Sequence, residues 1–82
     1  MSDITVYGKT GCVDTNRSRA LLASLDIRYQ FVDVDAGPAQ RAAAEAISGR
    51  RNVPVVVFPD CSHQVEPADD DLRDRLTRLH LI

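Results

Sequence analysis

One stretch, residues 53–66, organises the C-terminal half of the chain and reads VPVVVFPDCSHQVE. The run Val53–Phe58 is rich in β-branched residues and predicts a buried strand, with Pro54 near its start, where a strand tolerates proline. Pro59–Ser62 has the composition of a turn, and His63–Glu66 predicts a short return strand. Because so short a turn joins only antiparallel strands, the stretch predicts a hairpin.

The residues outside this hairpin predict two further strands and three helices. Short β-branched and aromatic runs indicate the strands, and apolar residues at helical spacing indicate the helices. The last helix has acidic residues before its apolar stripe and basic residues after it, which suits the helix dipole. The segments are a strand at Ile4–Tyr7 ended by Gly8, a helix at Asn16–Ser24 with Ala20, Leu21, Leu22 and Leu25 as its stripe, a strand at Tyr29–Val34, a helix at Ala39–Ile47 between Pro38 and Gly49, and a helix with Leu72, Leu76 and Leu79 between Asp69–Asp71 and His80.

The order of these segments, β-α-β-α-β-β-α, predicts an α/β fold. A helix between two strands allows them to run in parallel, whereas the hairpin strands are antiparallel. We therefore expect a four-stranded mixed sheet flanked by three helices, with helices on both faces, in a single domain spanning residues 1–82.

The composition argues against several classes of function. The net charge is −2 and 27% of the residues are charged, so neither a nucleic acid nor an anionic membrane is attracted electrostatically. The longest apolar run, Val53–Phe58, is far shorter than the roughly 20 residues that span a bilayer. Residues Met1–Thr5 lack the basic and apolar segments of a signal peptide. We expect a cytoplasmic monomer without nucleic-acid or membrane partners.

Two motifs stand at the first predicted helix and the third predicted strand. They are Lys9-Thr10-Gly11-Cys12-Val13-Asp14-Thr15 and Val53-Pro54. In this order they resemble the glutaredoxin family, whose pattern is Lys-x-x-Cys-x-x-Cys or Cys-x-x-Ser opening a helix, followed by a Val-Pro pair before the third strand. The stretch from Val53 to Leu76 is most similar to mycoredoxin-type glutaredoxins of actinobacteria. The resemblance implies the thioredoxin/glutaredoxin fold and a cis Val53–Pro54 peptide bond facing Cys12.

Cys12 is the candidate nucleophile. Only a thiolate attacks a disulfide, and an unperturbed cysteine is mostly protonated at neutral pH. At a helix start, unpaired backbone N–H groups and the positive end of the dipole favour the thiolate, and Lys9 can add a positive charge. Asp14 acts in the opposite direction and replaces an aromatic residue usual in the family, so we expect weaker activation than in a typical member.

Thr15 stands where a dithiol glutaredoxin has its resolving cysteine. The chain therefore resembles a monothiol enzyme, in which Cys12 attacks a mixed disulfide and is regenerated by a second low-molecular-weight thiol. The Thr15 hydroxyl can donate a hydrogen bond to the thiolate, as serine does in Cys-x-x-Ser relatives. An equally weighted interpretation makes Thr15 an N-cap or first-turn residue without a redox role.

The small thiol has a predicted site around Cys12. The resemblance implies that the Val53 backbone, ahead of Pro54, pairs with the bound thiol. The last helix offers its N-terminus to a carboxylate, with Asp69 or Asp70 facing an amino group. The co-substrate is mycothiol, which the actinobacterial resemblance favours, or glutathione, which Lys9 and the acidic helix start favour; no tightly bound cofactor is expected. Acidic residues also complement a helix dipole without any ligand.

Cys61 lies in the hairpin turn, at the opposite end of the third strand from Pro54. Six or seven strand residues separate these ends by roughly 20 Å, whereas a disulfide needs Cα atoms within about 7 Å, so we expect no Cys12–Cys61 disulfide. The family commonly has glycine at this turn, which makes Cys61 an incidental surface thiol. Cys61 and His63 are too few ligands for zinc, so no metal site is expected.

Three functions remain open at this level. The first is a monothiol oxidoreductase that reduces mixed disulfides between its protein substrates and a low-molecular-weight thiol. The second is an iron–sulfur cluster or partner-binding module, although Cys12-Val13-Asp14-Thr15 replaces the Cys-Gly-Phe-Ser signature of cluster-binding relatives. The third is a docking protein that has lost reductase activity, a loss that Asp14 and Thr15 would mark.

Overall fold

A computed structural model describes residues 3–82, in which four strands and three helices follow the predicted order. Met1 and Ser2, which belong to the N-terminal segment considered above, lie outside the described residues. The elements are β1 (Ile4–Gly8), α1 (Val13–Ser24), β2 (Tyr29–Asp33), α2 (Pro38–Ser48), β3 (Val55–Val57), β4 (His63–Val65) and α3 (Asp69–Arg78).

The four strands form one mixed sheet in the order β2-β1-β3-β4. β1 runs parallel to β2 and antiparallel to β3, with Tyr7 opposite Val55. β3 and β4 are the predicted antiparallel hairpin. The prediction of an α/β fold, with a four-stranded mixed sheet flanked by three helices, is therefore confirmed.

The main core lies between the sheet and helices α1 and α3. Leu22 of α1 and Leu72 of α3 are fully buried in one cluster with Val56 and Phe58. Val55 alternates with Val56, so its side chain points to the other face, and it is fully buried as well. Because α2 contacts β2 and β4, helices cover both faces of the sheet.

Helix α1 differs from its prediction in extent and in the residues it buries. It begins at Val13, three residues before the predicted Asn16. Ala20, assigned to the apolar stripe, is exposed, whereas Thr15 and Ser18 are completely buried. The N-terminal half of the buried face consists of small polar residues, which hydrophobic periodicity does not detect.

The hairpin strands are shorter than predicted because of the residues that flank them. β3 begins after Pro54, which has no N–H for the ladder, and ends before Phe58, whose N–H donates across the turn to the Ser62 carbonyl at 2.8 Å. β4 ends before Glu66, which has a positive φ of 48°. β1, β2 and α2 end within one residue of their predicted bounds.

Cys61 occupies the strained position of the hairpin turn. Its N–H donates to the Phe58 carbonyl at 2.9 Å, and its φ is 71°, in the left-handed region. A three-residue loop of this type places its last residue in that region and favours glycine there. Both cysteines are unpaired, and Cys61 is exposed, as expected for a surface thiol.

Replacement of Cys61 by glycine is expected to stabilise the fold. The left-handed conformation costs a non-glycine residue about 1–2 kcal/mol, which glycine relieves. Glycine also gives the unfolded chain more conformational freedom, and this offsets roughly half of the stabilisation. We expect the free energy of unfolding to rise by about 0.5–1 kcal/mol in urea titrations under reducing conditions. Cys61→Ala is the control, because alanine keeps the strain; equal effects of the two substitutions would contradict the explanation.

Candidate functional site

The candidate thiol, Cys12, is the N-cap residue of α1. Its backbone is extended, with φ −87° and ψ 124°, and its carbonyl accepts the first helical hydrogen bond, from the Asn16 N–H at 3.0 Å. Its own N–H donates to the Lys9 carbonyl at 3.1 Å, which closes the loop between β1 and α1. The partly exposed thiol therefore lies at the positive end of the helix, as the sequence predicted.

Thr15 lies directly behind the thiol. Its side chain is 0% exposed, and Oγ1 accepts a hydrogen bond from the Lys9 N–H at 3.4 Å. With a lone pair engaged in this way, the hydroxyl proton is available to the Cys12 sulfur. Thr15 is the third residue of α1, so it is a first-turn residue and not the N-cap.

Hydrogen bonding lowers the pKa of Cys12 below its ordinary value. The largest cause is the Thr15 hydroxyl, followed by the Thr15 backbone N–H; the Asp14 N–H contributes less. Desolvation raises the pKa, and the negative charge of Asp14 raises it by a still smaller amount. The balance favours the thiolate, the form that attacks disulfides.

Of the two charged residues next to the thiol, Asp14 opposes the thiolate as expected from the sequence, whereas the charge of Lys9 does not lower the pKa of Cys12. Asp14 forms an ion pair with Arg17, 3.2 Å between Oδ1 and Nη1, which offsets its opposition to the thiolate. Lys9 acts through its backbone on Thr15, and its ammonium is not among the causes that lower the pKa of Cys12. Arg17 was missed in the sequence, although its i,i+3 spacing from Asp14 is typical of a helical ion pair.

The register of the sheet brings the Val53–Pro54 pair to the thiol loop. Because Tyr7 pairs with Val55, Pro54 lies one step further along, beside the end of β1 where the loop to Cys12 begins. The peptide bond is cis, as the resemblance implied, and Pro54 is buried.

Val53 also borders a small cavity of about 10 Å³, together with Lys9 of the thiol loop and residues of α2. Several basic side chains line this cavity, and only one of them was singled out from the sequence. They are Lys9, Arg41, Arg50 and Arg51.

The start of α3 holds the two predicted carboxylates in different environments. Asp69 is the first helical residue, and its Oδ1 lies 3.8 Å from Arg17 Nε, whereas Asp70 is exposed. The helix has no side-chain cap, and Ala68 is its N-cap residue. Asp69 is therefore engaged by the protein itself, and Asp70 is the carboxylate that faces solvent.

Known proteins share this sequence pattern. The family model described as Glutaredoxin matches residues 4–62, which hold the thiol loop, the cis proline and the hairpin turn. The chain belongs to the glutaredoxin family. Membership is consistent with thiol–disulfide oxidoreductase chemistry in general.

Two glutaredoxin sequences illustrate the relationship. Glutaredoxin 3 of Escherichia coli (strain K12) is 33% identical over 63 residues, which are 77% of this chain and 75% of that protein. "Putative glutaredoxin Rv3198A" of Mycobacterium tuberculosis (strain ATCC 25618 / H37Rv) is 31% identical over 80 residues, which are 93% of this chain and 92% of that protein.

Solved glutaredoxin structures share the fold. A glutaredoxin from Brucella melitensis superposes with a TM-score of 0.70 and 30% identity, covering 99% of this chain and 85% of that one. The buckwheat glutaredoxin–glutathione complex gives a TM-score of 0.71 and 27% identity, covering 96% of this chain and 72% of that one.

Among residues 3–82, His, Cys, Asp and Glu side chains form no group of three that could hold a metal ion. Within the same residues, no helix is both long and apolar enough to cross a bilayer.

Replacement of Thr15 by valine is expected to raise the pKa of Cys12, because valine keeps the shape but removes the hydroxyl that contributes most to lowering it. The pH profile of alkylation should move to higher pH, and the rate at neutral pH should fall about three- to tenfold, as expected for a hydrogen bond to a charged group. Thr15→Ser, which retains the hydroxyl, should keep the wild-type profile; a shift in that variant, or none in Thr15→Val, would contradict the assignment.

The same substitution should change how stability depends on pH. Since the pKa of Cys12 is lower in the folded state, the thiolate stabilises the fold above the unfolded-state pKa. That contribution is lost as the pH falls through the folded-state pKa. In Thr15→Val the pH-dependent part of the free energy of unfolding should become smaller.

Proposed function

We propose that this glutaredoxin is a monothiol thiol–disulfide oxidoreductase that reduces mixed disulfides between proteins and a low-molecular-weight thiol. One observation carries the proposal: a partly exposed cysteine caps a helix while a buried hydroxyl and two N–H groups favour its thiolate. Thr15, in place of a resolving cysteine, makes Cys12 the one thiol of the site.

The reaction proceeds by two thiol–disulfide exchanges. The Cys12 thiolate attacks the sulfur of the small thiol in the mixed disulfide, a bond forms between Cys12 and the small thiol, and the substrate protein leaves as a thiolate. A second small-thiol thiolate then attacks the adduct. It forms the small-thiol disulfide and restores the Cys12 thiolate, so one free small thiol is consumed for each mixed disulfide reduced.

The small thiol is proposed to lie between the cis proline and the start of α3. The Val53 backbone would pair with it, and Lys9 would offer a positive charge. The buckwheat relative in complex with glutathione supports glutathione, and the resemblance of the stretch from Val53 to Leu76 to mycoredoxin-type glutaredoxins supports mycothiol. Asp70, exposed at the first turn of α3, is a better candidate than Asp69 for an amino group of the ligand, because Asp69 is paired with Arg17.

The cellular setting follows from the same chemistry. Turnover by a second small thiol requires a reducing compartment, so we propose the cytoplasm. We propose further that the protein acts as a monomer and that its partners are proteins carrying mixed disulfides.

Adduct formation tests the proposal. The purified protein is incubated separately with oxidised glutathione and oxidised mycothiol, and the adduct is identified by intact mass in a Cys61→Ser background. Turnover of a mixed-disulfide peptide is then followed with each reduced thiol. An adduct at Cys12 and turnover with one thiol identify the co-substrate. If neither thiol gives adduct or turnover, the proposed activity is wrong.

A further inference from the structure

One side chain, Arg17, connects the thiol to the start of α3. Its guanidinium lies 3.2 Å from the Asp14 carboxylate and 3.8 Å from that of Asp69, and Nη2 donates to the Pro67 carbonyl at 3.5 Å. The Oδ1 atom of Asp69 is shielded from solvent and has no hydrogen-bond partner among residues 3–82, so its charge is compensated through the ion pair. A single cation thus lies between the carboxylates of Asp14 on α1 and Asp69 on α3.

We infer that Arg17 is a positioning residue, which offsets the charge of Asp14 beside the Cys12 thiolate and holds the start of α3 against α1. The inference rests on the proposed function, since it assigns Arg17 to the same site. Arg17 does not touch the reacting sulfurs. It acts through Asp14 on the reactivity of Cys12 and through Asp69 on the place where the small thiol docks.

Asp14 is the charged group beside the thiol whose effect Arg17 offsets. Asp14 lies two residues from the thiol and opposes its thiolate, although weakly while the ion pair is formed. The Arg17 and Asp14 side chains are each 42% exposed, so the effect of the pair is modest and sensitive to salt. Other charged residues lie on the segments that flank the site: Lys9 in the thiol loop, Arg41, Glu45, Arg50 and Arg51 around the cavity beside Val53, and Glu66, Asp69, Asp70 and Asp71 at the start of α3.

Alkylation kinetics in a Cys61→Ser background test this role. Iodoacetamide reacts with Cys12 as the thiolate, and its rate is measured across pH in Arg17→Gln, Asp14→Asn and the double variant. Arg17→Gln should react roughly two- to threefold more slowly below the thiol pKa, with its profile moved to higher pH, because Asp14 is then unpaired. In the Asp14→Asn background, Arg17→Gln should slow alkylation by a smaller factor than it does in the wild type. Arg17→Lys, which keeps the charge, should recover most of the wild-type rate.

Arg78→Gln is the matched control. Arg78 forms a comparable exposed helical ion pair with Asp74, 3.1 Å between Nε and Oδ2, at the end of α3 that lies away from the thiol. Its loss should leave the alkylation profile unchanged. An unchanged profile in Arg17→Gln, or an equal loss with and without Asp14, would overturn the inference. Iodoacetamide needs no small thiol, so this result is independent of whether glutathione or mycothiol forms an adduct.

Discussion

Replacement of Cys12 by serine is expected to abolish the reduction of mixed disulfides. A serine hydroxyl stays protonated at neutral pH and cannot form the disulfide intermediate, so turnover should fall to the uncatalysed background, a loss of roughly 10³-fold or more. The fold should survive, because Cys12 is an N-cap residue without a side-chain cap bond and serine is among the residues favoured at that position. The measurement is turnover of a mixed-disulfide peptide with saturating small thiol.

Cys61→Ser provides the comparison for this loss. Cys61 is exposed in the hairpin turn, at the opposite end of β3 from Pro54 and the thiol loop, and should contribute nothing to turnover. Thermal unfolding of both variants separates chemistry from stability. If Cys12→Ser keeps residual turnover that disappears when Cys61 is also replaced, the activity belongs to Cys61 and the proposed mechanism is wrong.

Local patterns were sufficient to predict the framework of the fold. The run Val55–Val57, the short turn and the return strand determine an antiparallel pair, and the helix between β1 and β2 allows the parallel pair. The position of Cys12 at the helix start was implied by the resemblance to the glutaredoxin motif, whereas helical periodicity alone predicted a start at Asn16. Each of these features depends on residues close together in sequence.

The features that the sequence did not predict depend on residues far apart in sequence or on backbone conformation. Arg17 reaches the Pro67 carbonyl, 50 residues away, and no local pattern predicts that contact. The burial of Thr15 and Ser18 depends on how closely α1 approaches β1. The early end of β4 depends on the positive φ of Glu66, a residue type that does not usually signal such a conformation.

Thr15 shows most clearly what the sequence alone did not decide, because two roles were open for it. The sequence allowed a cap or a redox role, and the structure shows a first-turn residue that is fully buried and hydrogen-bonded to the Lys9 N–H. The same hydroxyl is the largest cause of the lowered pKa of Cys12. The structural and electrostatic interpretations are therefore not alternatives, because packing is what orients the hydroxyl.

Replacement of Gly8 by alanine should be among the most destabilising changes near the site. Gly8 is buried at the end of β1, and a Cβ added there would lie only 2.6 Å from Thr15 Oγ1 and 3.1 Å from Thr15 Cβ. Because Thr15 is fully buried, its side chain cannot move aside without displacing α1. Overpacking of this kind costs typically about 1–3 kcal/mol of unfolding free energy. The shift of the hydroxyl should also raise the pKa of Cys12, which would slow alkylation at neutral pH.

Gly11→Ala is the matched control for this prediction, because it changes a glycine in the loop that follows β1, where an added Cβ meets no atom within 4 Å. That variant should be neutral or slightly stabilised in urea titrations. A second test uses non-additivity: in a Thr15→Ala background, which removes the crowded atoms, Gly8→Ala should cost clearly less. If the Gly8 substitution costs the same in both backgrounds, the close approach of β1 to Thr15 is not what requires glycine at this position. If the cost falls in the Thr15→Ala background, contact between residue 8 and the Thr15 side chain is what requires glycine at the end of β1.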